Sequence, residues 1–274
     1  MSATGLRRPS PWHLVLLPLA LLMAAPLIWM VITSVSTLEE TRHFPPQLPN
    51  GIHLHSYVQA WTESPFGRWL LNSAVVSIAC VVSNLVLCTL AGYAFARLHF
   101  PGSQLAFLLI LATLMVPFQV VMIPTFLIVQ KLSLADSLTA LALPNLVTPF
   151  GIFLLRQFFR TLPVELEEAA RIDGASRLKV LFRIVLPLSL PALATLAVIQ
   201  FLWTWNDFLW PLVTIYKESA FTLQLGLMSF QGSHVNDTNL LMAGNVMSML
   251  PMLILFIAAQ RYFVRGIATQ GLKG

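Results

Sequence analysis

The sequence predicts an all-α polytopic membrane protein with six transmembrane helices, and its low charge and long apolar runs are the basis of this prediction. Of the 274 residues, 57% are hydrophobic and only 10% are charged, whereas a soluble domain usually carries about 25% charged residues. A helix needs roughly 20 mainly apolar residues to cross a bilayer. The qualifying stretches are Trp12–Ser34, Leu70–Phe95, Leu105–Val129, Leu138–Leu155, Leu188–Val213 and Leu240–Val264. We therefore expect a single transmembrane domain over residues 1–274.

The first apolar run follows Arg7 and Arg8, as the core of a secretory signal peptide would. It is longer than such a core and lacks a clear small-x-small cleavage site. We expect it to remain as a membrane helix.

The basic residues predict which loops face the cytoplasm, because cytoplasmic loops carry an excess of lysine and arginine. One alternating set of segments holds most of the 16 lysines and arginines, and the other holds Arg42, Arg68, Lys131 and Lys217. The first set contains Arg7, Arg8, Arg97, Arg156, Arg160, Arg171, Arg177, Lys179, Arg183, Arg261, Arg265 and Lys273. Both termini and a loop at about 161–186 are therefore expected in the cytoplasm. Topology explains the net charge of +5, so nucleic acid is not an expected partner.

The external side is expected to carry a long loop at about 35–69 and a shorter polar stretch at about 214–239. Pro45, Pro46, Pro49 and Gly51 are expected to break any regular structure in the long loop. Either segment could dock an extracytoplasmic partner or serve only as a solvated connection.

Several common functional classes have no supporting pattern in the sequence. His53 and His55 form the only close histidine pair, and neither has a carboxylate or cysteine beside it that would complete a metal site. Cys80 and Cys88 would lie about 12 Å apart along one helix, too far for a disulfide. The chain contains no GxxxxGK[ST], HExxH or GxSxG motif, so we expect neither ATP hydrolysis nor other catalysis by this chain itself.

The end of the fifth apolar stretch carries polar and aromatic residues that could contact a solute. Trp203, Asn206, Asp207 and Trp210 occupy positions i, i+3, i+4 and i+7, and so would share one face of a continuous helix. Aromatic faces beside an amide and a carboxylate suit a polyhydroxylated solute. The alternative is an interfacial tryptophan belt with Asp207 bonded to another helix.

The loop at about 161–186 predicts a short helix, a sharp turn and a second helix returning to the membrane. Pro163 precedes Glu165, Glu167 and Glu168, which suit the positive end of a helix dipole. Gly174 permits the left-handed geometry that ends a helix. Ser176 can cap the second helix, which carries Arg177, Lys179 and Arg183.

This loop resembles the EAA loop of permease subunits in ATP-binding-cassette (ABC) importers. The matching positions are Glu168-Ala169-Ala170, Gly174 and Ile184-x-Leu186-Pro187. Three further segments are similar to the carbohydrate-importer permeases, above all to the smaller six-helix partner of the maltose type. They are His55–Trp61, Trp205–Pro211 and Phe263–Gly274.

The resemblance implies a type I importer fold and a mechanism with several partners in a bacterial or archaeal cytoplasmic membrane. A second permease would complete the pathway, two copies of an ABC ATPase would bind ATP and Mg²⁺, and an extracytoplasmic binding protein would deliver sugar. This chain would bind no cofactor. The implied ATPase-coupling residues are Glu168, Ala169, Ala170, Asp173, Gly174 and Ala175. The tail, with Gln270 and Gly271, is similar to tails that reach between the ATPase subunits.

The cargo and the mode of energy use have alternatives. Permeases for glycerol 3-phosphate, its diesters or amino sugars are very similar to those for sugars, and a phosphate would favour additional basic residues in the pathway. A secondary transporter is a more distant alternative. It would usually show repeated halves with charged or broken segments near the midplane, whereas the ionisable residues here gather in the loop.

Overall fold

The structure is a computed structural model and describes residues 12–43, 48–233 and 237–270. All regular elements in this part of the chain are helical, as the sequence predicts. The helices up to the cytoplasmic loop are α1 His13–Ser34, α2 Leu38–Arg42, α3 His55–Thr62, α4 Phe66–Arg97, α5 Ser103–Thr113, α6 Phe118–Lys131, α7 Leu138–Ala142 and α8 Pro149–Thr161. The remaining helices are α9 Glu165–Ile172, α10 Arg177–Val180, α11 Leu186–Leu188, α12 Leu190–Trp205, α13 Leu209–Thr214, α14 Leu223–Ser233 and α15 Thr238–Gln270.

Three of the predicted spans are broken helices rather than continuous ones. Among the described residues, α1, α4 and α15 are each long and apolar enough to cross a membrane, and the number of spans rises to as many as six if each bent pair counts as one. The bends are 100° between α5 and α6, 42° before α8 and 79° before α12. Proline lies at each break, where its missing N–H and its ring interrupt helical hydrogen bonding. These prolines are Pro117, Pro149, Pro187 and Pro191.

The described residues divide into two compact units. One contains the described parts of Met1–Ser64 and Ser229–Met249, and the other contains Pro65–Met228 with the described residues from Leu250 onward.

The first unit contains more regular structure in the predicted external loop than the sequence suggests. Helix α2 begins at a capping box in which the Thr37 hydroxyl and the Glu40 carboxylate each accept a backbone N–H of the other residue. The stretch His55–Thr62 forms α3, and the Tyr57 hydroxyl lies 2.7 Å from that of Ser34. Irregular backbone is found at residues 48–54, which include Pro49 and Gly51. Pro45 and Pro46 lie outside the described residues.

Helix α4 organises the second unit and buries its polar face. Asn72, Val76, Cys80, Asn84 and Cys88 recur every four residues and are all buried, so they form one stripe along the helix. As a whole, α4 packs mainly against α8 and α12. Small and polar residues at helix contacts are typical of membrane proteins, where lipid takes up the apolar faces. Both cysteines are free thiols.

Candidate functional site

The predicted coupling loop has the helix–turn–helix form that its sequence indicates. Helix α9 carries its acidic residues in its first turn, where they suit the helix dipole. Gly174 follows with φ +81°, a left-handed conformation that glycine adopts without steric cost. The Ser176 hydroxyl then accepts the Lys179 N–H at 3.4 Å and caps α10. Local sequence thus determines the geometry of this loop.

The six predicted coupling residues lie together but differ in exposure. Glu168, Ala169, Asp173 and Gly174 are exposed. Ala170 and Ala175 are half-buried and pack against the core formed by residues such as Phe159 and Leu181. Large apolar side chains are also exposed beside them, with Ile172 at 87% and Leu178 at 61%. The loop therefore presents acidic, basic and apolar side chains together on its exposed surface.

The first of the two adjacent glutamates in α9 has a role that sequence reasoning missed. Glu167 is buried, and its carboxylate pairs with the Arg97 guanidinium, with 2.6 Å between Nε and Oε1. The Tyr93 hydroxyl donates to the other carboxylate oxygen at 2.9 Å. Arg97 also donates to the Leu162 carbonyl at 2.7 Å. Tyr93 and Arg97 are one helical turn apart on α4 and therefore share a face of that helix. This spacing is the feature of the sequence that indicates a common contact.

The predicted shared face of Trp203, Asn206, Asp207 and Trp210 is wrong, because the helix stops between them. Helix α12 ends at Trp205, and α13 begins at Leu209. Trp210 is fully buried and its indole N–H donates to the Ala140 carbonyl at 3.0 Å. A shared face requires an uninterrupted helical period, and this segment does not have one.

The exposed members of this set also differ in their contacts. Asn206 is exposed and donates to the Leu202 carbonyl at 2.8 Å and to the Met252 sulfur at 3.3 Å. Asp207 is half-buried and accepts the Trp210 N–H at 3.3 Å. Trp203 is 52% exposed and meets Phe150 edge-on, with ring centroids 5.2 Å apart. Only Trp203 and Asp207 of the four line a common cavity.

This cavity has a volume of about 410 Å³, within the size range of small-molecule sites. Its polar groups come from α12, from Asp207 and from the break before α8. The lining residues are Leu114, Phe118, Asn145, Thr148, Pro149, Phe150, Gln200, Trp203, Thr204 and Asp207. None of these described residues is basic.

Gln200 is a cavity residue that the sequence did not single out. Its amide nitrogen donates to the Thr204 hydroxyl at 3.1 Å, while its carbonyl oxygen is buried and accepts no hydrogen bond from the described residues. An unpaired buried acceptor is costly, and a donor from a ligand or water would satisfy it. The Gln200 oxygen is buried beneath the cavity wall, so the Asp207 carboxylate is the charged acceptor that the cavity offers to a solute.

Two further sequence predictions concern the tail and metal binding. Helix α15 ends at Gln270, and Gly271 lies outside the described residues. Among the residues searched in the described part of the chain, His, Cys, Asp and Glu form no group of three that could hold a metal ion.

Residues 84–269 match the family model of the binding-protein-dependent transport system inner membrane component. This match covers most of the chain, including the EAA-like loop and the cavity residues. The chain therefore belongs to this family of multi-pass ABC transporter permeases.

The chain is similar over most of its length to other transport system permeases. The chain is 41% identical over 227 residues to the arabinooligosaccharides transport system permease protein AraQ of Halalkalibacterium halodurans, covering 82% of this chain and 81% of that protein. It is 38% identical over 264 residues to the sn-glycerol-3-phosphate transport system permease protein UgpE of Pectobacterium atrosepticum, covering 93% and 94%.

A solved structure carries the same fold. A bacterial ABC transporter involved in the import of the acidic polysaccharide alginate matches with a TM-score of 0.81 and 26% identity, covering 94% of this chain and 100% of that chain. A second structure, of the alginate transporter in complex with a pentasaccharide-bound periplasmic protein, matches with a TM-score of 0.66 at 15% identity, covering 90% and 91%. The latter supports the fold alone.

Proposed function

We propose that this chain forms half of the translocation pathway of an ATP-driven sugar importer and is driven by a separate ATPase through the loop at about 161–186. The observation that carries the proposal is the helix–turn–helix of this loop, with Glu168, Ala169 and Asp173 exposed on it. Such a surface suits a soluble partner that pushes on the membrane domain. The proposed partners are a second permease, two ATPase copies and an extracytoplasmic binding protein.

Reconstitution tests the proposed division of labour. The chain purified alone is expected neither to bind nor to hydrolyse ATP. With its partner permease, ATPase and loaded binding protein in vesicles, it is expected to support ATP-dependent sugar uptake. ATP hydrolysis by the chain alone would contradict the proposal, as would uptake by the complex without ATP.

We place both termini and the coupling loop in the cytoplasm, with the loop at about 35–69 outside. The distribution of lysine and arginine supports this orientation. Single cysteines at the exposed positions Leu178 and Leu48 provide a matched test in intact cells. A membrane-impermeant thiol reagent is expected to label the Leu48→Cys variant only, and labelling of Leu178→Cys alone would reverse the orientation.

The cavity supports an uncharged, hydroxyl-rich cargo rather than a phosphate-bearing one. The Asp207 carboxylate is an acceptor for hydroxyl groups, and the exposed Trp203 ring can stack on a sugar's C–H face. A phosphate meets no basic side chain among the described lining residues and would lie near a carboxylate. An amino sugar would be compatible with that carboxylate. The names of AraQ and UgpE show that relatives of similar identity differ in cargo, so a cavity argument is needed.

Two measurements test the cargo. Calorimetry of the cognate binding protein is expected to give binding of neutral oligosaccharides and none of glycerol 3-phosphate or its diesters. Uptake competition in the reconstituted complex should rank the same compounds in the same order. Preferential binding and uptake of the phosphate compounds would contradict the proposed cargo while leaving the importer assignment intact.

A further inference from the structure

Helices α4 and α8 are joined by polar contacts at both ends of α8. One set of contacts lies beside the coupling loop and the other beside the cavity. At the loop end, the Arg97 guanidinium holds both the Glu167 carboxylate of α9 and the Leu162 carbonyl that follows α8. The Tyr93 hydroxyl holds the second oxygen of the same carboxylate. One side chain of α4 is thus fixed to the coupling helix and to the end of α8 at once.

The ion pair at the loop end is largely buried from water. The side chains of Arg97 and Glu167 are 11% and 9% exposed, so each charge depends on the other in place of water. Charge-assisted hydrogen bonds are short and directional. A displacement of α9 would therefore have to move α4 with it or break an ion pair that water cannot easily replace. Glu168, one residue further along, is exposed and stays available to a partner.

At the cavity end, the Asn84 amide group makes the corresponding contact. Its nitrogen donates to the Asn145 carbonyl at 2.7 Å, and its oxygen accepts from the Thr148 hydroxyl at 2.7 Å. Asn84 is completely buried, and its remaining bonds are to Cys80 and Cys88 on its own helix. Asn145 and Thr148 both line the cavity. This joint therefore fixes the helix break that forms one wall of the cavity.

Between the two joints α4 and α8 are in close contact. Asn84 and Arg97 are about 20 Å apart along the α4 axis. A Cβ atom on Gly92, between them, would lie 3.1 Å from both the Arg156 nitrogen and the Leu155 Cβ. Helices packed this tightly move together more easily than they slide.

We propose that α4 and α8 form a rigid strut that transmits movement of the coupling helix to the cavity, with Arg97–Glu167–Tyr93 and Asn84 as its two joints. The proposal rests on the proposed coupling role of the loop. Glu167, Arg97, Tyr93 and Asn84 are positioning residues, because their side chains are buried or nearly so against other helices of this chain. Two distant joints on one strut make a specific prediction, because damage at either end should have the same effect on the cavity.

The test uses the assembled transporter in vesicles and compares Glu167→Gln and Asn84→Ala with the control Glu165→Gln. The control removes the same charge from the same helix at an exposed position. In the two joint variants we expect sugar uptake to fall about fivefold or more while ATP hydrolysis persists. A fivefold loss is at the lower end of the effects that coupling between two sites typically produces. The control is expected to keep the wild-type ratio of uptake to hydrolysis.

A conformational readout separates transmission from simple damage. A fluorophore on Val147→Cys, exposed beside the cavity wall, would report movement there when ATP is added, since both native cysteines are buried. The ATP-dependent signal is expected to shrink about fivefold in both joint variants at unchanged ATP binding. Tyr93→Phe keeps the ion pair and provides a milder variant should Glu167→Gln fail to assemble, with a smaller loss of signal expected.

Full-size fluorescence changes with normal coupling in both joint variants would overturn the proposal. It would also be overturned if uptake, ATP hydrolysis and assembly declined together in every variant, including Tyr93→Phe, because that indicates a purely structural role. Gly174→Asp distinguishes this failure from failure of the proposed function. If Gly174→Asp uncouples the complex and the joint variants do not, only the strut is wrong.

Discussion

The coupling loop and the segment from Trp203 to Trp210 were both predicted as functional, but only the loop has the local backbone geometry that its sequence predicts. In the loop, the helix, the glycine turn and the serine cap all occur where the sequence indicates. In the second segment, the helix breaks at residues 206–208 and distributes the predicted residues among different environments. The helix, the turn and the cap of the loop follow from interactions over a few residues, whereas its attachment to α4 depends on the ion pair between Arg97 and Glu167. The second segment depends on contacts with α7 and with the break before α8, which no local pattern reveals.

The largest effect on transport is expected from a substitution at the turn of the coupling loop. Gly174 and Gly102 share a left-handed backbone, with φ of +81° and +79°, and a Cβ at either would meet nothing within 4 Å. Aspartate at either position carries about the same backbone strain, on the order of 1 kcal/mol. We expect Gly174→Asp to reduce uptake at least about tenfold with ATP hydrolysis retained, because it alters the proposed docking surface. Gly102→Asp should remain near wild type.

The measurement is the ratio of sugar uptake to ATP hydrolysis in reconstituted vesicles, with the amount of assembled complex as a check. If the ratio of uptake to hydrolysis falls equally in the two glycine variants, the effect is due to backbone strain and not to the proposed docking surface of the loop.

The two tryptophans of the second segment are expected to differ sharply in their effect on stability. Trp210 is fully buried and hydrogen-bonded to Ala140, so Trp210→Ala should lower the free energy of unfolding by about 3–5 kcal/mol. Trp203 is half exposed and meets Phe150 edge-on, so Trp203→Ala should lower the free energy of unfolding by about 0.5–1.5 kcal/mol. Thermal unfolding of the detergent-solubilised complex measures both. Comparable destabilisation by the two variants would contradict the difference in burial between the two side chains.

A more moderate effect is expected at the cavity. Asp207→Asn keeps the shape of the side chain but removes the charge that a hydroxyl-rich solute can use. A hydrogen bond to a charged group contributes about 1.5–3 kcal/mol, so the apparent KM for uptake should rise about tenfold with kcat little changed. Asn206→Ala, whose side chain bonds outside the cavity, is the matched control. If both variants leave KM unchanged, Asp207 serves only to anchor α13.

The smallest effect concerns the loop between α6 and α7. The backbone N–H groups of Tyr216 and Lys217 donate to the Asp136 carboxylate and hold the pKa of that carboxyl below its ordinary value. A depressed folded-state pKa means that this contribution to stability is present above the unfolded value of about 3.9 and is lost as the pH falls through the folded value. Hydrogen exchange at the Tyr216 and Lys217 amides should therefore lose protection at acidic pH. In Asp136→Asn, the protection should no longer depend on pH in this range.

Much of the candidate site could be predicted from sequence because its signals are short-ranged. Glu168, Ala169 and Gly174 lie within one helix and its terminating turn, whose geometry follows from residue type. Glu167 and Gln200 could not be singled out in the same way. Glu167 differs from its neighbour Glu168 in facing Arg97, a residue distant in sequence, and Gln200 stands out because its buried oxygen has no hydrogen-bond partner among the described residues.

The sequence by itself determined that this protein is an all-helical membrane protein with a polar loop, because apolar length, charge distribution and turn residues act locally, and the resemblance of that loop to the EAA loop indicated the permease family. The tertiary structure decided which apolar stretches are broken, which of two adjacent glutamates is buried and which residues line the cavity. These features depend on where prolines and buried polar groups from separate helices meet, since a buried charge or amide is stable only beside a partner supplied by another part of the chain.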